Sequence, residues 1–296
     1  LAQQSLRTLT NASRRAPFDI KLPLTIYNTS CYRGIPGKYI AAGPLASRWL
    51  QQQFVADATL ARSGAQVLGE PAAGYLSHPG YAALPKAPYR YQEMLGVIWR
   101  ENPSCYLQEG EQAVLLAALM ETDNAGRPLI DAWISRSGLS ADAWLEKLFE
   151  ATVIPFYHLL CRYGVALIAH GQNVTLVMKD SIPQRILLKD FQGDMRLVDE
   201  DFPQAESLPK QVKAVTARLS ADYIIHDLQT GNFVTVLRFI SRLTLQSGVS
   251  ETRFYQILAG VLHRYMAAHP ELAERFATFD LFKPQIIRVI LNPVKL

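Results

Sequence analysis

VALIAHGQNVTLVMKDSIPQRILLKDFQGD, residues 165–194, is the stretch whose reading decides the fold of this chain. Val165–Ala169, Val174–Met178 and Arg185–Leu188 are short, mostly β-branched or aliphatic runs bounded by polar residues, which is the signature of strands and too short for helices. Three short strands are therefore predicted, with polar residues concentrated at their connections. His170-Gly171-Gln172-Asn173 follows the first run, and Lys189-Asp190-Phe191-Gln192-Gly193 follows the third.

An Asn and an Asp brought together by adjacent strands supply hard oxygen ligands, the type that Mg²⁺ on a nucleotide polyphosphate prefers. Asn173 and Asp190 thus form a candidate metal and nucleotide pair. Protein kinases order a catalytic-loop Asn and a metal-binding Asp similarly, with Asp-Phe-Gly as the second element. Here the first cluster lacks the Asp that would orient an attacking hydroxyl and offers His170 and Gln172 instead. A carboxylate nucleophile needs no deprotonation, so the missing Asp is no obstacle to it. The plain alternative is that Asn173 makes a turn, Asp190 caps one, and His170 is an ordinary core or surface histidine.

A second constellation lies toward the start. Ser5-Leu6-Arg7-Thr8 is followed by Lys21, then by Asn28-Thr29-Ser30 and Arg33. Ile20, Leu22, Leu24 and Ile26 alternate with Lys21, Pro23, Thr25 and Tyr27, the strand period, and Pro23 confines such a strand to an edge or a bulge. Lys21 falls on the face opposite the aliphatic residues. Arg supplies a two-pronged donor and Lys a point charge, so this grouping suits a polyanionic ligand, unless it is a solvated basic face. Arg100 closes the apolar segment Met94–Trp99 and must find an anion or reach water; Glu93 and Glu101 are its nearest acidic neighbours in sequence.

Outward from these clusters, Gly43-Pro44 opens a helix through Leu45–Phe54. The Gly- and Pro-rich residues 62–90 read as a long ordered loop or lid. Residues 91–101 read as a strand or short helix and Ala113–Thr122 as a strand, with a turn at Asp123–Gly126. Ser140 can cap a helix holding Trp144, Leu145, Leu148 and Phe149, and a second helix stops at Gly164. The remainder is helical, with Phe254, Ile257, Leu258, Val261, Leu262, Tyr265 and Met266 on one face as core. The architecture expected is α+β: a mixed or antiparallel sheet carrying the site in a sheet-rich region 1–204, then a helical region 205–296.

Composition narrows the function classes. Apolar residues make up 49% and charged residues 19%, which is globular and not disordered. The longest apolar run, Ala113–Met120, is well short of the roughly 20 residues a spanning helix needs. A net charge of +4, dispersed along the chain, does not announce nucleic acid and is compatible with anionic small molecules. Cys31, Cys105 and Cys161 are widely spaced, so they form neither a disulfide framework nor a zinc motif and fit a reducing compartment. His78, in Ser-His-Pro-Gly, reads as a loop residue, and His158, His226, His263 and His269 have no partners at metal-ligand spacing.

SLRTLTN (5–11), KLPLTIYNTSCYRG (21–34), GVIWREN (96–102), AHGQN (169–173) and LLKDFQGD (187–194) together resemble the IucA/IucC family, the synthetases that assemble siderophores without a non-ribosomal peptide synthetase. The resemblance extends over essentially the whole chain, and AHGQN with KDFQG at this spacing is its specific part. It implies an ATP- and Mg²⁺-dependent carbon–nitrogen ligase of the cytoplasm, often a homodimer. A carboxylate of citrate or a citryl mono-amide attacks ATP, pyrophosphate leaves, and an amine, here N6-acetyl-N6-hydroxylysine, captures the acyl adenylate to give an amide and AMP. By the same resemblance Ser5, Arg7, Lys21, Arg100, Gln172, Asn173 and Asp190 bind ATP, and Asn173 and Asp190 hold the metal. Thr29, Ser30, Arg33 and His170 bind citrate, with Arg33 and His170 catalytic. Two departures are expected to matter. The family's N-terminal region, with a His-Pro motif beside the site, is not in this chain, which reads as a fragment. Gly34 also stands where relatives often carry Thr. A kinase-like small-molecule phosphotransferase and a non-catalytic module for a citrate-containing ligand are the alternatives; AMP with pyrophosphate, against ADP, separates the first from the ligase.

Overall fold

The computed structural model describes residues 1–3, 5–10, 17–28, 31–84, 94–191 and 193–286. Contacts divide the chain into two compact units that interleave along the sequence. The first comprises Leu1–Leu116, Gln172–Asp194 and Ser207–Thr216; the second comprises Ala117–Gly171, Met195–Glu206 and Ala217–Leu296. The expected division after residue 204 does not follow these units, because the chain passes between them repeatedly. No helix among the described residues is long and apolar enough to cross a membrane.

The strands, in chain order, are β1 (Thr8–Thr10), β2 (Phe18–Lys21), β3 (Tyr27–Asn28), β4 (Cys31–Tyr32), β5 (Gln66–Val67), β6 (Ala72–Tyr75), β7 (Gly96–Glu101), β8 (Glu111–Leu115), β9 (Val165–Leu167), β10 (Val174–Lys179), β11 (Ile182–Leu188), β12 (Met195–Val198) and β13 (Ala217–Leu219). In the first unit, β1-β2-β7-β6 form an antiparallel sheet and β5-β11-β10-β8 a mixed one, with β5 parallel to β11. In the second, β12 lies between parallel β13 and antiparallel β9. The mixed and antiparallel sheets of an α+β chain are thus present.

The stretch 165–194 does make three strands, but they serve two sheets. β10 and β11 pair as a hairpin, Val174 opposite Leu188, through a turn in which Asp180 and Ser181 both have positive φ. β9 pairs instead with β12 in the other unit. Three further expectations are corrected. The strand begun at Ile20 ends at Lys21, and β2 is interior, between β1 and β7; Pro23 lies beyond it, so the missing N–H never meets the ladder. The run Ala113–Thr122 is strand only to Leu115 and then a 3-10 turn, Leu116–Met120, where Leu116 and Leu119 are buried as the chain leaves the first unit. Residues 62–90 are not one loop: they contain β5, β6 and a helical turn, Pro79–Ala82, with 85–90 outside the described residues.

The helices follow local rules. Gly43–Ala56 starts on Pro44 and buries Ala46, Trp49, Leu50 and Phe54, a stripe at 3.6-residue spacing. Ser140 caps Ala141–Thr152 by accepting from the Ala143 N–H at 3.2 Å. Gly164 ends Ile154–Tyr163 in the left-handed region, where a Cβ would come within 2.6 Å of Val198, so only glycine fits. Glu251–Ala268, capped by Ser250, buries the predicted face except Met266, which is half-buried, and packs on Ala141–Thr152, Phe254 meeting Phe149 edge-on at 4.9 Å. Phe254→Ala is therefore expected to cost about 3–5 kcal/mol, read as a lower urea midpoint at unchanged slope. A loss under about 1 kcal/mol would contradict this packing.

Candidate functional site

The first unit's antiparallel sheet buries charge. Strand alternation puts Asp19 and Lys21 on one face of β2, facing Arg100 and Ile98 of β7 and Thr10 and Thr8 of β1 across the ladders. Thr8, Asp19, Lys21 and Arg100 are all buried, while Ile26, expected on the core stripe, is 41% exposed. The polar face of β2 is thus the inward one. Asp19 is saturated by Gln3 Nε2 at 2.6 Å, Thr10 Oγ1 at 2.9 Å and Asn102 Nδ2 at 2.7 Å.

Lys21 and Arg100 converge on Asp190, which follows β11. Lys21 Nζ and Arg100 Nη2 (2.6 Å) both donate to Asp190 Oδ1, and Arg100 Nη1 reaches Oδ2 at 3.4 Å. Arg100 Nη2 also donates to Glu70 Oε1 at 3.2 Å; both side chains are essentially inaccessible, at 1% and 0%. Glu70 is in turn fixed through its backbone N–H, which donates to Ser47 Oγ at 3.0 Å. Among the described residues, the neighbouring acid Glu101 is not a partner of Arg100. Glu93 lies outside the described residues, and Glu101 points the other way, as the next residue in a strand must. Glu101 accepts from Gly69 N–H at 2.7 Å, from Gln51 Nε2 at 3.2 Å and from Tyr106.

Burial dominates the electrostatics of Asp190 and would raise its carboxyl, but Arg100, Lys21 and Lys189 together outweigh burial and hold it far below the carboxylate range. Glu70 goes the other way: burial raises it, and Arg100 and Lys21 offset only part. Burial lowers Lys189, with Asp190 and Asp19 opposing and Arg100 and Lys21 assisting. Arg7 is lowered by burial; Asp190 and Asp194 oppose this, Arg33 and Arg100 assist. Arg7, Lys21, Arg33, Arg100 and Lys189 therefore act within one field on Glu70, Asp190, Asp194 and Asp19, five cations to four acids.

Ser5 and Arg7 flank the tip of a hairpin. Gln3 N–H donates to Thr8 O at 2.9 Å, Leu6 N–H to Gln3 O at 3.0 Å, and Arg7 N–H to Ser5 O at 2.7 Å, with Leu6 at φ +59°. A left-handed leucine costs on the order of 1 kcal/mol and persists only where its surroundings fix it. Asp190, at φ +67°, is left-handed as well, a conformation that Asp tolerates better than Leu. Arg7 Nη1 donates to Gly34 O at 2.6 Å, which ties the tip to the segment bearing Arg33. Ser5 Oγ and Arg100 Nε are buried without a hydrogen-bond partner among the described residues. Two orphaned donors inside a cationic cluster are what an anionic, oxygen-rich ligand would satisfy.

Asn173, at the start of β10, donates from Nδ2 to Asp194 Oδ2 at 3.0 Å, so Oδ1 is the amide atom left for a cation. Asn173, Asp190 and Asp194 offer side-chain oxygens, the donor type Mg²⁺ takes when phosphates complete its shell. No group of three or more His, Cys, Asp or Glu suited to a metal occurs among the described residues, so any magnesium here needs ligand oxygens as well. The structure thus gathers Ser5, Arg7, Lys21, Arg33, Arg100, Asn173 and Asp190 in the first unit. Gln172 begins the return into it, half-buried. His170 belongs to the second unit, half-buried after β9, and Thr29 and Ser30 lie outside the described residues. Three members were missed from sequence. Lys189 and Asp194 flank the Asp190 motif and were legible as charges there; Glu70, in a Gly/Pro-rich stretch, carries no local signal.

Known proteins resemble this chain closely. The IucA / IucC family model matches residues 1–121, and the model described as ferric iron reductase FhuF-like transporter matches residues 142–296. Aerobactin synthase of Escherichia coli is 72% identical over 296 residues, covering 100% of this chain and 51% of its own. The chain belongs to the IucA/IucC family. Because that relative aligns along the whole chain, both model matches fall within one IucA/IucC protein. Aerobactin synthase of Vibrio mimicus is 60% identical over 295 residues, covering 100% of this chain and 50% of its own. Among solved structures, the aerobactin synthetase IucC from a hypervirulent pathotype of Klebsiella pneumoniae has a TM-score of 0.90 at 67% identity, covering 99% of this chain and 50% of that one. The chain spans about half the length of the curated relatives it matches.

The Asp190 cluster makes a stability prediction with a defined sign. A carboxyl held low in the fold stabilises fully above its unfolded value, about 4, and that contribution is lost as pH falls from there toward strong acid. Asp190→Asn leaves Lys21 and Arg100 short of an anion, so wild type is expected to exceed it by about 3–5 kcal/mol at neutral pH. Urea unfolding across pH should show the gap narrowing below about pH 4; a pH-independent gap would contradict the assignment.

Proposed function

We propose that this IucA/IucC protein is an ATP-dependent siderophore synthetase that adenylates a citrate-derived carboxylate and joins it to an amine. The observation that carries the reading is the convergence of Lys21 and Arg100 on Asp190, with Arg7 in the field of both Asp190 and Arg33, and Ser5 Oγ buried without a hydrogen-bond partner among the described residues. Adenylation must press a polyphosphate against a polycarboxylate, and fixed cations offset that repulsion before the reacting oxygen can approach phosphorus.

In this reading Ser5, Arg7, Lys21, Arg100, Gln172, Asn173 and Asp190 bind ATP, and Asn173 and Asp190 would hold Mg²⁺, Asp194 accepting from the Asn173 amide. The metal supplies charge neutralisation on the phosphates. Binding of the nucleotide gives Lys21 and Arg100 phosphate oxygens in place of the Asp190 carboxylate. Arg33, Thr29, Ser30 and His170 receive citrate or a citryl mono-amide. The substrate carboxylate attacks the α-phosphorus, and the bond to pyrophosphate breaks. The amine nitrogen of the second substrate then attacks the acyl carbon, AMP departs, and the amine loses a proton. His170, whose ordinary pKa is near neutral, is suited to take it. The aerobactin synthases among the relatives support N6-acetyl-N6-hydroxylysine as the amine. Family resemblance likewise supports a cytoplasmic homodimer.

The full-length protein is expected to release pyrophosphate and AMP only when citrate, or its mono-amide, and ATP are both present. ADP as the product would replace this reading with phosphoryl transfer, and no nucleotide turnover would leave a binding module. Arg7→Ala, at the hairpin tip, should lower pyrophosphate release about 10²–10³-fold. A loss below about threefold would remove Arg7 from the phosphate site.

A further inference from the structure

The second unit contains a helix whose middle is widened. Residues His226–Leu228 and Arg238–Leu243 are α-helical, and Gln229–Leu237 between them is π-helical. Long π segments are rare and concentrate at functional sites. This one lies against the residue that precedes His170. Asn232 Nδ2 donates to Ala169 O at 3.1 Å, and Ala169 N–H donates to Asp227 O at 3.3 Å, so the helix takes both backbone polar groups of Ala169. Gly231 permits the approach: a Cβ there would lie 3.3 Å from Ala169 N.

A sheet does not do this work, because the β9–β12 ladder stops at Leu167. On the far side of His170, Gly171 O accepts from Ala117 N–H at 3.1 Å, and a Cβ on Gly171 would meet Ala117 Cα and N at 3.0 Å. The backbone is therefore clamped immediately before and immediately after His170. Asn232 is fully buried, yet its Oδ1 has no hydrogen-bond partner among the described residues. One bond made and one acceptor left unmet is poor value for stability. What the amide does supply is a fixed direction for the Ala169 carbonyl.

We infer that Asn232 is a positioning residue that acts through His170, holding its backbone so that the imidazole meets the substrate carboxylate; this rests on the proposed role of His170. A displacement near 1 Å at a reacting group can cost about a hundredfold in rate. The test is a double-mutant cycle in the full-length protein with N232L, H170A and both together. Pyrophosphate release gives kcat and the KM values for ATP and the citrate substrate, and thermal unfolding checks the fold. N232L is expected to lower kcat/KM for the citrate substrate about ten- to a hundredfold, to leave the KM for ATP within about twofold, and to add nothing on the H170A background. Should N232L fold poorly, G231A is the second variant: its methyl displaces Ala169 by a few tenths of an ångström, and its several-fold loss should also vanish on H170A. Losses that multiply with H170A, or wild-type rates in both N232L and G231A beside an impaired H170A, overturn the inference alone. Wild-type rates in H170A overturn the role of His170 and this inference with it.

Discussion

The carboxylate of Asp190, gripped by Lys21 and Arg100 inside the first unit, is the interaction on which the rest depends. Taking these groups from water is expensive, and a buried ion pair seldom repays the cost better than apolar side chains of the same size. Stability therefore does not account for the cluster. In the proposed function its value is that cations stand desolvated and fixed before any ligand arrives, which is the condition under which charge stabilisation is strongest. Glu70 completes the arrangement: it pairs with Arg100 at 3.2 Å, so the guanidinium has a second anion besides Asp190.

Local backbone builds that field. Strand alternation delivers Lys21 and Arg100 to one face from neighbouring strands, and the β10–β11 hairpin returns Asp190 to them from far along the chain. Two residues, Leu6 and Asp190, hold left-handed conformations that they would not choose alone. Leu6 turns the chain so that Ser5 and Arg7 flank one tip, and Asp190 bends the chain directly after β11. The second unit fixes the backbone on both sides of His170 by other means, a widened helix and a close glycine contact.

Much of the site was legible because its residues sit at breaks in apolar runs. HGQN and KDFQGD stand out where strands end, and Ser5, Arg7 and Lys21 stand out as polar groups among aliphatic neighbours. What was not legible depends on contacts distant in sequence. Nothing local says that 165–194 splits between two sheets, because β9 and β10 have the same apolar character and only their partners differ. The period of a strand already argues against Glu101 as the partner of Arg100, but it cannot name Glu70, thirty positions away. The burial of the charged face of β2 was hidden for a similar reason: alternation shows which residues share a face, and the ligand-binding face need not be the apolar one. The widening at Gln229–Leu237 left no mark in a helical pattern.

A crystal structure of the full-length protein with a non-hydrolysable ATP analogue and magnesium tests the central claim most directly. Phosphate oxygens are expected within hydrogen-bonding distance of Ser5, Arg7, Lys21 and Arg100, with the Lys21–Asp190 contact opened. A nucleotide seated elsewhere, with Lys21 and Arg100 still closed on Asp190, would show that the cluster is structural and would contradict the account.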